Sequence, residues 1–218
     1  MAPLLVAAAL TAVLVAPRGA VAAAPPPSPV DPRVLVLGDS VVLGAQAAMD
    51  ARLAASGWQP VHAAAESFHI YHAGPIVDAL RPGFGEVAVV ALGANDGLDA
   101  SELAVWVDGL MAHLQDLRRV YWVNLRQFRE WVPAANAVLS DATQRWPNLR
   151  IIDWDARATP DPGLVYEDGL HLNLGGQIAM ADLIGTTLDE YAQERAQQHE
   201  RLRVLMGQVA KVARALGV

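Results

Sequence analysis

Apolar and polar positions along the chain follow two periods. Short β-branched runs fall at 34–37, about 60–63, 87–92, 120–124 and 149–152, and the third and fourth are apolar almost throughout, as strands covered on both faces should be. Stretches with helical spacing lie between and after them, at 43–56, 76–81, 101–118, 133–146 and 176–191. Asp99 followed by Glu102 reads as a capping box for the third helix. Strands alternating with helices imply an α/β fold, a parallel five-stranded sheet with helices on both faces. In such sheets ligands bind outside the carboxyl ends of the strands.

The two ends of the chain read differently. Leu4 to Ala16 is an apolar run with Thr11 its one polar member, and Ala20-Val21-Ala22 is a small-x-small pattern. The run has the length of a signal h-region and is too short for an integral membrane span. Residues 1–22 are therefore expected to be a signal peptide, with an N-terminal anchor as the alternative. Residues 23–33 form a Pro-rich linker, 34–191 the domain, and 192–218 an amphipathic helix. In that last stretch Leu202, Leu205, Val209, Val212 and Leu216 recur at intervals of three and four, opposite Arg201, Arg203, Lys211 and Arg214. It is expected to pack on the domain or pair with a second copy; the alternative is contact with an anionic membrane or wall surface. The expected location is secreted or cell-envelope associated.

Composition narrows the partners. The 218 residues carry 16 Lys+Arg against 23 Asp+Glu, a formal net charge of -7, which argues against nucleic acid. There is no cysteine, so disulfides, thiolate metal sites and cysteine nucleophiles are excluded.

Three strand ends then carry chemistry. The first runs into Gly38-Asp39-Ser40, the third into Gly93-Ala94-Asn95-Asp96-Gly97, and the last is followed by Asp168-Gly169-Leu170-His171 and a helix. Serine is a poor nucleophile without an adjacent base, and histidine is the usual base. A third group must hold the imidazole in the right tautomer. Asp168, three residues before His171, suits that role. Ser40 at the first turn of a helix would offer its own N–H to an oxyanion, and Asn95 could add its amide. Taken singly, each piece has a plainer reading as a cap, a turn or a surface histidine.

The combination closely resembles the SGNH, or GDSL, hydrolase family, over about 34–191. The blocks that carry it are Val36-Leu37-Gly38-Asp39-Ser40-Val41-Val42-Leu43-Gly44, Ala91-Leu92-Gly93-Ala94-Asn95-Asp96 and Asp168-Gly169-Leu170-His171-Leu172-Asn173. The resemblance implies a flavodoxin-like three-layer α/β/α fold. It also implies Ser40 as nucleophile, His171 as base, Asp168 as its orienter and Asn95 as oxyanion donor. The family's second block supplies a glycine whose N–H completes the oxyanion hole; here the corresponding stretch is Ala63-Ala64-Ala65-Glu66-Ser67, without glycine. Ala65 is the expected stand-in and Glu66 the next candidate. No cofactor and no metal are implied.

Further expectations concern the surroundings. His62, His69 and His72 lack an acidic partner at ligand spacing and are expected beside the acyl pocket rather than at a metal. Arg126, Gln127, Phe128 and Trp131 follow the fourth strand at the same sheet edge, with Arg126 and Trp131 expected to bind substrate; the alternative is a solvated loop with Trp131 packed inward. The expected activity is hydrolysis or transfer of a small acyl ester through an acyl-serine, on an acylated envelope glycan or a small ester. The alternative is an SGNH-fold module that binds glycan without turnover.

Overall fold

A computed structural model of the chain describes residues 30–97 and 99–216. The expected leader (1–22) and most of the linker (23–33) lie outside these residues. Five strands form one parallel sheet: β1 (Arg33–Gly38), β2 (Gln59–Ala64), β3 (Val87–Ala91), β4 (Arg119–Val123) and β5 (Leu149–Ile152), in the order β2-β1-β3-β4-β5. Helices α1 (Ser40–Ala55), α2 (Ala73–Leu80), α3 (Ala100–His113), α4 (Val132–Arg145), α5 (Trp154–Ala158) and α6 (Leu174–Leu216) cover it.

Alternation along each strand sorts the side chains into two cores. Val34, Val36, Val87, Val89, Tyr121 and Val123 face one way, against Met49 and Leu53 of α1 and Ile184 and Leu188 of α6. Leu35, Leu37, Ala88, Val90, Val120 and Trp122 face the other way, against Val77 of α2, Leu110 of α3 and Leu139 of α4. The result is a three-layer α/β/α fold of flavodoxin-like strand order. The order reverses between β1 and β3, so a crevice opens there at the carboxyl ends of both.

The helices differ from expectation at their ends. α1 starts at Ser40 because Asp39 caps it, accepting from the Val41 N–H at 2.9 Å. Asp99 caps α3 through Ser101 and Glu102, and α3 stops at His113 rather than near 118. The separate helix expected from 192 is the continuation of α6, unbroken over 43 residues. Its first half packs on α1, tied by Arg52 to Asp189 at 2.7 Å. Beyond Arg195 the described side chains are exposed, Leu202, Leu205, Val209 and Val212 among them, so this half does not pack on the domain. No helix among the described residues is long and apolar enough to cross a membrane.

Candidate active site

β1 ends at Gly38, where the first turn of α1 folds directly back; a Cβ on Gly38 would lie 2.2 Å from the Val42 side chain. Only glycine permits that approach, and it sets Ser40 at the helix N-terminus. The N–H groups of the first turn have no partner within the helix, and the dipole there favours negative charge.

Ser40 Oγ lies 2.9 Å from His171 Nε2, and His171 Nδ1 lies 2.7 Å from Asp168 Oδ2. The loop carrying both residues is a closed turn: Tyr166 N–H donates to the His171 carbonyl, Gly169 N–H donates to the Tyr166 carbonyl, and Gly169 has φ +77. Asp168 Oδ1 accepts from the Leu170 and His171 N–H groups at 2.9 and 3.0 Å. The Leu170 N–H and then the His171 ring hold the Asp168 carboxyl down at about 2. An ionised Asp168 accepts from Nδ1–H, which leaves the Nε2 lone pair to take the Ser40 proton. The hollow around Ser40 is about 400 Å3, lined by Leu43, Gly44, Glu66, Ser67, Asn95, Leu170 and His171 as well.

Asn95 lines that hollow, and its Nδ2 donates over 3.3 Å to Asp39 Oδ2 and 3.4 Å to the Phe68 carbonyl. Beneath it sit two buried carboxylates. Burial pushes Asp39 up to about 6, with the Val41 N–H opposing and the nearby Asp96 adding to the rise. Burial also raises Asp96, against the Ile70 N–H and His69, which donate to its Oδ1.

Ala65 is a correction. Its N–H donates to the Gly38 carbonyl at 3.2 Å, extending the β1–β2 ladder, so it is not free to meet an oxyanion. The backbone irregularity comes two residues later: Ser67 has φ +50, the one positive φ outside glycine among the described residues. Arg126 lines a small cavity beside the site together with Asp39, Val41, Ala94, Phe128 and Leu170, while Trp131 stands farther off. Neither lines the hollow around Ser40. Arg126 donates to the carbonyls of Ala158 (3.1 Å), Gln127 (3.1 Å) and Gly169 (2.7 Å). Trp131 lies over Gly97, where a Cβ would come within 2.7 Å of its ring, and meets Phe128 edge-on.

His69 and His72 lie ring to ring, and His62 stands apart from them. His62 pairs with Asp50 at 2.6 Å, His69 with Asp96 at 3.2 Å, and His72 meets the rings of His69 and Tyr71. Among the described residues there is no group of three or more His, Asp or Glu placed to hold a metal. The bracing by Arg126 and the buried Asp39–Asp96 pair were not foreseen. Asp39 carried a usable signal, since aspartate before a helix start is a common N-cap.

No protein-family model matches the chain. The catalytic domain of the peptidoglycan O-acetyltransferase A of Streptococcus pneumoniae superposes with a TM-score of 0.62 at 21% identity, covering 76% of this chain and 96% of that one. The fold is that of the SGNH/GDSL hydrolases. A family 3 carbohydrate esterase of Clostridium thermocellum shares this SGNH fold with a TM-score of 0.60 at 16% identity, over 74% of this chain and 97% of that one. In sequence, the O-acetyltransferase OatA of Staphylococcus aureus is 27% identical over 108 residues, 50% of this chain and 17% of that protein. The chain thus spans a small part of that relative's length. The three SGNH-like sequence blocks of this chain meet at the carboxyl ends of β1 and β3 and on the turn before α6.

Proposed function

We propose that the chain is a serine esterase or O-acetyltransferase that forms an acyl-serine on Ser40 and acts on an O-acylated glycan. The observation that carries this is the continuous line Ser40 Oγ–His171 Nε2 and His171 Nδ1–Asp168 Oδ2, at 2.9 and 2.7 Å. Ser40 attacks the ester carbonyl while His171 takes its proton, and Asp168 stabilises the imidazolium. The Ser40 N–H and the Asn95 amide face the oxyanion; the present Asn95 contacts are long, so a charged oxyanion competes for the amide. His171 then protonates the leaving alcohol, and water or a second hydroxyl releases the acyl group. The glycan follows from likeness to a peptidoglycan O-acetyltransferase and a carbohydrate esterase.

A fluorophosphonate probe tests the mechanism. The protein should label at Ser40 and hydrolyse an aryl acetate, and Ser40→Ala should do neither. The binding-module reading draws on the Ala65 N–H, which leaves the oxyanion hole without a second backbone donor at that position. A wild-type protein that neither labels nor turns over acetate would decide for that reading.

We also infer work at the cell envelope, as the leader-like segment suggests. The exposed half of α6 supports it: residues 196–216 carry Arg201, Arg203, Lys211 and Arg214 against Glu200, which pairs with Arg203 at 2.7 Å, and an exposed apolar stripe. A basic amphipathic helix fits an anionic lipid surface, whereas pairing with a second copy would bring like charges together. Flotation with phosphatidylglycerol vesicles, but not with phosphatidylcholine vesicles, is expected. Leu205→Glu should abolish it. A stable dimer that ignores vesicles would overturn this reading.

A further inference from the structure

A groove of about 260 Å3 lies between the first turn of α2, with the residues just before it, and the outer face of α3. Its neighbourhood is a run of rings. His69 stacks on Tyr71 at 5.0 Å between centroids, and Tyr71 meets Trp106 at 5.2 Å. Tyr71 is 48% exposed although it is large and aromatic, and the adjoining Val105 is 69% exposed. Two large apolar side chains thus stand uncovered beside one groove.

Two glycines keep the groove open. Gly74 lies under the His113 ring, and a Cβ there would come within 2.6 Å of it. Gly109 is inside α3 and also lines the groove, yet a Cβ built on it meets nothing within 4 Å. Glycine inside an exposed helix is a poor helix former, and no neighbour requires it here. What it does supply is space, because any side chain there would rise into the groove.

The groove is joined to the catalytic hollow along the chain. Ser67 lines the hollow around Ser40, His69 bonds Asp96 next to Asn95, and Tyr71 lines the groove. A polar group in the lining is His113, whose Nδ1 is held by Asp78 at 2.9 Å. A pyranose presents an apolar face of axial C–H bonds and a rim of hydroxyls. The C–H face suits the electron-rich face of an aromatic ring, and a hydroxyl suits the imidazole of His113.

We propose that this groove is a subsite for a sugar ring of the glycan chain that bears the ester, with Tyr71 and Trp106 as its stacking surface and Gly109 as the open floor. The inference rests on the glycan reading above and goes further, to a polymeric substrate held beyond the acylated residue. The ester reacts at Ser40 while a neighbouring ring of the same chain is held in the groove.

The test is titration calorimetry of the full chain with a soluble, unacylated N-acetylglucosamine oligosaccharide, run beside fluorophosphonate labelling. Wild type should bind. Gly109→Leu, which fills the groove and favours the helix, and Tyr71→Ala should each weaken binding about tenfold or more. Labelling of Ser40 should be unchanged in both, and Tyr71→Phe should bind as wild type does. A wild type that labels but does not bind overturns the subsite and leaves the hydrolase. Variants that bind as tightly as wild type overturn it too. Binding without labelling supports the subsite and removes the hydrolase reading instead.

Discussion

Arg126 Nη1 donates to the Gly169 carbonyl at 2.7 Å, so a side chain at the end of β4 holds the turn between Asp168 and His171. Its Nε donates to the Ala158 carbonyl at 3.1 Å, and Nη1 also reaches the Gln127 carbonyl. One planar guanidinium thereby ties three loop segments together. Lysine has a compact ammonium and cannot reproduce that fork. Arg126→Lys should lower kcat for an aryl acetate by on the order of tenfold while KM changes little, because small misplacements of a base are costly. Thermal melting checks that the fold is intact. A rise in KM with kcat unchanged would mean that Arg126 binds substrate after all.

Asp168 does two separate jobs with its two oxygens. Oδ1 accepts the Leu170 and His171 N–H groups, and Oδ2 accepts His171 Nδ1. An asparagine in its place would keep an oxygen for the turn but present an NH2 to the ring, favouring the tautomer that blocks Nε2 as a base. Asp168→Asn should therefore fold normally and lose activity on the order of 10⁴-fold. Asp168→Ala should lose activity and some stability as well. Equal melting temperatures for the two variants would show that the turn does not need a side-chain oxygen at 168.

The strands and the residues of the Ser40–His171–Asp168 line were legible in the sequence for local reasons. β-branched apolar runs mark strands covered on both faces, and Asp168 and His171 are close enough in sequence to be read together. Helix ends were less legible. The short α5 spans too few residues to show a period, and nothing such as Gly or Pro near 191–192 marks where α6 leaves the domain, so periodicity alone suggested a boundary that the backbone does not have. The brace was invisible for another reason. Arg126 reaches Gly169 through a backbone carbonyl 43 residues away, which leaves no trace in residue type at the accepting position. The same holds for Ala65, whose bond to Gly38 depends on how far the β1–β2 ladder extends.

The missing second-block glycine can be tested at two positions. Because the Ala65 N–H already donates to Gly38, Ala65→Gly should leave turnover unchanged. Ser67 is the residue at φ +50, where a Cβ is strained. Ser67→Gly relieves that strain, partly offset by the greater freedom of glycine in the unfolded chain. A stability gain of about 0.5–1 kcal/mol in denaturant unfolding is expected. Faster turnover in Ala65→Gly than in Ser67→Gly would show that the oxyanion donor lies at 65.

Asp39 makes stability depend on pH in a definite direction. Its folded value, about 6, lies above the ordinary 3.8 because the carboxyl is buried. A raised folded value means that the native state prefers the protonated form. That preference contributes fully below about pH 4 and is lost as pH rises through about 6, where the buried carboxylate must ionise beside Asp96. An asparagine at this position removes the charge and still offers an oxygen to the Val41 N–H as a helix cap. Its NH2 would face the Asn95 amide, which can turn to present its oxygen instead. Asp39→Asn should therefore gain stability over wild type on going from about pH 4 to about pH 7.5, by on the order of 2 kcal/mol. Urea unfolding of both proteins at the two pH values checks this. A difference that stays constant across the range would mean that Asp39 is already ionised in the folded protein at pH 4.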